Sequence, residues 1–275
     1  MIAPADVAFF QTHGWFVTRP IVPVTLLDRA MAGLVDHWAG HRDWDLPATS
    51  GYADWMPGGA PGTRNNEYLS LQNSDVRALA VFPPIGDFAA ALLQDSFVRL
   101  FDDQMVCKPP VSSVSAVGWH VDSDYWATCS ADEMITAWIP LDDCPIELGP
   151  LVVVDASHHG SSQIQSRNLS FHKQDMAHAT FAPADALVPM ALKRGQVSFH
   201  HGRAVHGSYP NTGHRPRVAF AIHMQSSRNH YRPALRPDGT PIRLFNDCLC
   251  ARDANGLPDY SDNRVFPRLG SGVAA

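Results

Sequence analysis

Apolar positions repeat with two different periods along the chain, and the change falls near residue 95. Before it, PVTLLDRAMAGLVDHWAG (residues 23–40) carries Leu26, Leu27, Ala30, Met31, Leu34, Val35 and Trp38 at helical spacing, which predicts an amphipathic helix stopped by Gly40. APADVAFFQTHG (3–14) predicts a shorter helix opened by Pro4 and closed by Gly14, and WFVTRPIV (15–22) a strand. Two further short helices are expected within 74–94, divided by Pro83 and Pro84. After residue 95 the runs FVRLFDDQMVCK, VSAVGWHVD, MITAWIPL, LVVVD, QVSFH and RVAFAIHM are short, β-rich and separated by Gly, Pro, Asp and Ser turns. Helices first and strands later predict a mainly β fold with flanking helices, built as a sandwich or barrel.

The expected organisation is one domain over 1–275, with N-terminal helices in 1–95, a β core in 96–224 and an irregular tail in 225–275 that folds over it. Two segments have no stable period. Residues 40–66, rich in Gly, Pro, Asp and Trp, are expected to form a long loop and are a candidate lid, because loops of that length are commonly functional. The stretch from 160 through APADALVPMALKRG reads as a long insertion between strands.

Composition narrows the classes of partner. At 45% hydrophobic over 275 residues the chain can bury a full core. Its 27 acidic and 21 basic residues give a net charge of −6, with the basic residues dispersed, which argues against nucleic acid or an anionic membrane surface and for a small molecule. Five scattered cysteines (Cys107, Cys129, Cys144, Cys248, Cys250) argue for a reducing compartment, and Cys248-Leu-Cys250 lacks the second pair that a zinc site requires. No apolar run approaches the roughly 18 residues of a membrane span. MIAPADVAFF has no basic stretch leading into a signal core, so the expected location is the cytoplasm. The sequence leaves the oligomeric state open.

The chemistry concentrates in GWHVDSDYW, residues 118–126. A strand carried through Asp122 would put His120 and Asp122 on one face, and an imidazole beside a carboxylate suits a divalent first-row metal. Among fourteen histidines, His206 has the context of a third ligand, since FHHGRAVHGSYPN places it at a strand end or turn. Eleven residues later Arg217 opens RVAFAIHM, where Val218, Phe220, Ile222 and Met224 form a bulky face and Arg217, Ala219 and Ala221 a small-residue face. That second face resembles a cavity wall ending in a guanidinium, a group shaped to grip a carboxylate. Alone, His120 and Asp122 would equally suit a buried hydrogen-bonded pair.

WHVDSDYW, HGSYPNTGHRPR and FFQTHGWFVTRPIV together resemble the phytanoyl-CoA dioxygenase family of non-haem Fe(II)/2-oxoglutarate-dependent oxygenases, over most of residues 7–224 and most specifically at the two metal motifs. The resemblance implies a double-stranded β-helix (jelly roll, cupin-like) and a facial triad of two His and one carboxylate. It implies His120, Asp122 and His206 as iron ligands and catalytic residues, with Arg217 on the distal carboxylate of 2-oxoglutarate and Ser208 supporting that carboxylate. Trp138, in phase with Met134 and Thr136, matches an aromatic beside the cosubstrate; Gln104 and Lys108, on one strand face, match positions that line the pocket. Trp138 and Met134 could equally be plain core. Asp124, His200, His201 and His223 read as supporting or structural, and His158 and His159 as loop residues.

The implied reaction uses O2 and 2-oxoglutarate to attack a substrate C–H bond. Halogenating members of the wider superfamily carry a small residue where the carboxylate stands, so Asp122 implies hydroxylation, or the desaturation, cyclisation or epimerisation that the same hydrogen abstraction can start. A jelly-roll binding protein without redox activity and a zinc-dependent hydrolase are the alternatives; Arg217 is unnecessary to either. Aromatics in the expected pocket walls (Tyr52, Trp55, Tyr68, Phe171, Phe181) and the lack of a basic cluster favour a mostly apolar small molecule, such as a natural-product intermediate, over an acyl-CoA.

Overall fold

Helix-period and strand-period segments separate into different layers of the protein. The computed structural model describes residues 2–48, 50–112, 115–160 and 182–271. In chain order the elements are α1 (Pro4–His13), β1 (Trp15–Val17), α2 (Val24–Trp38), β2 (Arg64–Glu67), α3 (Ser74–Ala80), α4 (Pro83–Leu92), β3 (Val98–Lys108), β4 (Val117–His120), β5 (Met134–Pro140), β6 (Leu151–Val154), β7 (Leu187–Pro189), β8 (Ser198–His201), β9 (His206–Ser208), β10 (Arg217–Ser226), α5 (Asn246–Leu249) and β11 (Arg268–Leu269).

The strands form two antiparallel sheets. The larger has the order β1-β8-β5-β10-β3-β11, with β2 also paired to β3, and the smaller has the order β4-β9-β6-β7. Alternation along β10 divides the larger sheet as its sequence requires. Phe220, Ile222 and Met224 point outward with Phe199, Ala137 and Ile139, and pack against Leu27 and Leu34 of α2, Leu79 of α3 and Ile85 and Leu92 of α4. The inner face packs Trp138 and Ala219 against Leu151 and Val153 of the smaller sheet. Each of these buried large side chains contributes about 1.5–3 kcal/mol, and together they clamp the jelly roll between a helical layer and its own second sheet.

Several boundaries differ from those that periodicity predicts. Residues 40–66 do not remain loop to their end: Arg64 begins β2, whose Asn65 and Glu67 pair with Val106 and Gln104. The segment is tied to α2, because Asp54 accepts from buried His37 Nε2 at 2.6 Å and from Arg42 at 3.0 Å, while Trp38 Nε1 donates to Asn66 at 2.9 Å. β1 forms within the expected strand 15–22, β2 extends the sheet into the end of the expected loop, and β11 brings the tail back onto β3. The insertion before residue 196 contributes β7, paired with β6. Phe171 and Phe181 lie outside the described residues. The tail packs Tyr260 and Phe266 against Phe101 and Trp126, and Met134 joins this cluster behind the cavity. Tyr52 and Tyr68 pack at a tilt against Phe245, and Trp55 edge-on against Trp38, away from the cavity. All five cysteines are free thiols, four of them buried.

Candidate metal centre and adjoining cavity

Cross-strand register builds the centre. His120 at the end of β4 is paired directly with His206 at the start of β9, and their rings lie 4.1 Å apart. Asp122 is not on the strand; β4 stops at His120, and Asp122 opens a short 3-10 turn that swings its carboxylate back beneath the two imidazoles. Asp122 Oδ1 is 3.6 Å from His120 Nε2 and 3.3 Å from His206 Nε2, and all three ligand atoms lie within 4.8 Å of one another. Donors around one first-row metal at about 2.1 Å stand roughly 3.0–3.4 Å apart, so the set converges on a single ion.

Backbone carbonyls fix the tautomers. His120 Nδ1 donates to Gly118 O at 2.8 Å and His206 Nδ1 to Ala204 O at 3.0 Å, which leaves both Nε2 lone pairs facing the centre. All three residues are buried. Burial, reinforced by His206, drives His120 down to about 3, so it is a neutral ligand near pH 7. Burial also works against charge on Asp122 and His206, yet their mutual attraction overrides it: Asp122 is held well below the usual carboxylate range and His206 is raised. The site thus keeps one carboxylate ionised and calls for a cation beside it, as a metal would supply.

The larger sheet holds the other side of Asp122. His200, Thr136, His223 and Asp102 are successive register partners across β8, β5, β10 and β3. Thr136 donates its single hydroxyl proton to Asp122 Oδ2 at 2.7 Å, so it accepts from His223 Nδ1 at 2.8 Å. His200 Nε2 donates to the same Oδ2 at 3.2 Å. Oδ1 is left to the metal side. Asp102, partly buried at the edge of this row, is raised well above the usual range by its desolvation.

From this centre a cavity of about 350 Å³ runs between the sheets. At one end Arg217 donates Nη2 to Gly149 O at 3.1 Å and lies over Trp138 at 5.6 Å from its ring. Gly149 adopts φ +64°, and a Cβ there would come within 2.3 Å of Tyr209 O, so the loop that receives Arg217 needs glycine. Arg217 is buried, its Nε has no partner, and burial lowers its pKa. Among the described residues no carboxylate lies within ion-pair reach of it. An uncompensated buried guanidinium is costly unless an anion arrives.

Of the sequence-expected pocket residues, Ser208, Trp138, Gln104 and Arg217 line the cavity with the three ligand candidates. Lys108 does not. It is paired with Arg217 but fully buried behind Ser208, donating to Ser208 Oγ at 2.6 Å and to the Ser208 and Tyr209 carbonyls. Its amino group therefore orients the Ser208 hydroxyl from behind, and burial beside Arg217 holds its pKa well below the usual lysine range. Among the described residues, only Ala53 and Asn65 of 40–66 reach the cavity, and the tail after Met224 supplies no lining residue. Thr136, His200, His223 and Glu67 line it as well; of these, sequence reading gave His200 and His223 a supporting place and Glu67 none.

Known proteins resemble this chain in sequence and in fold. The family model described as Phytanoyl-CoA dioxygenase (PhyH) matches residues 50–219. A phytanoyl-CoA dioxygenase domain-containing protein 1 homolog of Caenorhabditis elegans is 27% identical over 123 residues, a match covering 42% of this chain and 42% of that relative's length. Among solved structures, the epimerase SnoN of nogalamycin biosynthesis, in complex with Fe3+, alpha ketoglutarate and nogalamycin RO, has a TM-score of 0.69 at 22% identity, covering 96% of this chain and 97% of that one. The carbocyclase SnoK of the same biosynthesis has a TM-score of 0.67 at 18% identity, covering 98% and 96%. These structures share the fold, and with a family model matched over more than half of its residues, this chain belongs to the phytanoyl-CoA dioxygenase family.

Proposed function

We propose that the protein is an Fe(II)- and 2-oxoglutarate-dependent oxygenase acting on a C–H bond of a small molecule, with residues 1–275 working as one domain. The observation that carries this reading is the pairing, in one cavity, of a convergent His120-Asp122-His206 donor set with the unpaired buried guanidinium of Arg217. A zinc hydrolase would use the first without the second.

When bound, iron with 2-oxoglutarate supplies an oxidising capacity drawn from O2, with succinate and CO2 as the coproducts. The chain's own part is placement. His120 and His206 offer Nε2 lone pairs locked by their carbonyl acceptors, and Asp122 offers Oδ1 while Thr136 and His200 occupy Oδ2. Arg217 and the Ser208 hydroxyl, the latter steadied by Lys108, form a cationic end suited to the distal carboxylate of the dicarboxylate. Trp138, Leu151 and Val117 wall that end and keep water from it.

The outcome fits hydroxylation, desaturation, cyclisation or epimerisation, because Asp122 occupies the place that a halide would need. Natural-product metabolism is the context this reading favours, supported by the biosynthetic roles printed for SnoN and SnoK, and five free thiols favour the cytoplasm. Turnover tests it: candidate small molecules should stimulate succinate formation from 2-oxoglutarate, and Asp122→Ala should abolish the stimulation. Full substrate-coupled turnover in that variant would remove the triad from the mechanism.

A further inference from the structure

A second part of the cavity wall, away from Arg217, has the opposite character. Glu67, at the end of β2, is the register partner of Gln104, which pairs in turn with Ala221. Ala221 stands four residues along β10 from Arg217, about 13 Å in an extended strand. The cavity wall also carries the apolar groups Ala53, Val106, Trp126 and Ala221.

Among the described residues, every group that hydrogen-bonds to the Glu67 carboxylate is a neutral donor. Ala53 N–H donates to Oε2 at 2.7 Å, Asn65 Nδ2 to Oε1 at 3.3 Å and Gln104 Nε2 to Oε1 at 3.4 Å. Among the described residues no cation is paired with it. The nearby guanidiniums are engaged elsewhere: Arg42 with Asp54, and Arg64 over the rings of Trp38 and Trp55. Burial accordingly raises Glu67, with only hydrogen bonds opposing it. A second observation is independent of that charge. With its NH2 committed to Glu67, Asn65 turns its Oδ1 into a buried position where it has no partner. An orphaned buried acceptor costs about 1–3 kcal/mol until a donor reaches it. This patch of the wall thus holds acceptors that lack a donor and a negative charge that lacks a cation.

We propose that Glu67 and Asn65 bind an ammonium group carried by the substrate, so that the substrate is an amine with an apolar body. An ammonium supplies both missing elements at once, three N–H donors and a positive charge. The inference rests on the oxygenase reading only in calling the ligand a substrate. It also changes the expected chemistry of that ligand, from mostly apolar to amphiphilic, with the apolar body along Val106 and Trp126.

The test uses benzylammonium and its neutral near-isostere benzyl alcohol as probes on the full-length protein, with and without Fe(II) and 2-oxoglutarate under anaerobic conditions. Benzylammonium should bind about tenfold more tightly than benzyl alcohol, the factor expected for one charge-assisted hydrogen bond. Glu67→Gln keeps an acceptor for Ala53 N–H and should weaken benzylammonium by about tenfold with benzyl alcohol unchanged. Failure of benzylammonium to bind better than benzyl alcohol in the parent protein overturns the proposal, and so does a preference that survives in Glu67→Gln. The parent comparison decides the matter even if the variant does not fold. An iron and 2-oxoglutarate charge-transfer band, read in the same samples, keeps the two ideas apart. Its absence beside an intact amine preference would count against the oxygenase reading and leave the ammonium site standing.

Discussion

The two sheets divide the labour of the site unequally. The four-stranded sheet, with the turn that leaves it, presents the groups that would touch a metal: His120 and His206 are paired across β4 and β9, and Asp122 follows two residues after His120. The seven-stranded sheet presents no such ligand. It contributes a row of polar groups, Thr136, His200 and His223, that hold the far oxygen of Asp122, and further along it contributes Arg217. One sheet supplies contact and the other supplies orientation, and removing contact should cost far more than removing orientation.

The largest effect is expected from the small-sheet side: Asp122→Ala and His206→Ala should each abolish 2-oxoglutarate-dependent succinate formation while leaving the circular dichroism of the folded protein intact. On the large-sheet side, Arg217→Leu should raise the 2-oxoglutarate concentration needed for half-maximal rate by about a hundredfold, as for loss of a buried charge-pair partner worth about 3 kcal/mol. A kcat that fell instead, with KM unmoved, would detach Arg217 from cosubstrate binding. Thr136→Val preserves shape and deletes the hydroxyl that donates to Asp122 Oδ2, so competition with a chelator should report about a tenfold loss of iron affinity. An affinity loss as severe as that of Asp122→Ala would erase the distinction between the two sheets. Smallest is Ser208→Ala, expected to raise KM for 2-oxoglutarate about fivefold through one lost hydrogen bond of about 1 kcal/mol.

The same division governs what could be read from the sequence. His120 and Asp122 are two residues apart, and His206 and Arg217 lie within one strand-turn-strand unit, so local spacing marks them as candidates that the family resemblance joins into one set. The supporting row was not legible as a row. Thr136, His200, His223 and Asp102 are scattered over four strands and become neighbours only through register, which a single sequence does not encode visibly. Short polar strands escaped for a related reason: β2 reads RNNE and β9 reads HGS, with no apolar alternation to mark them. The period did reveal the helices, the long strands and the small-residue face of β10, because those patterns are set by burial on one side. Lys108 shows the limit in a single residue. Its strand face is shared with Gln104 as the alternation predicts, yet a fully buried amino group spanning the gap between the sheets to Ser208 depends on sheet spacing, which no local pattern carries.

The measurement that bears most directly on the pairing of triad and guanidinium is an anaerobic titration of the protein with Fe(II) and 2-oxoglutarate, followed by visible absorption. A charge-transfer band should grow with both added, saturate at one iron per chain, disappear in His206→Ala and require much more 2-oxoglutarate in Arg217→Leu. A protein that stays colourless, or that keeps an unchanged band in His206→Ala, would contradict an iron and 2-oxoglutarate centre at this site.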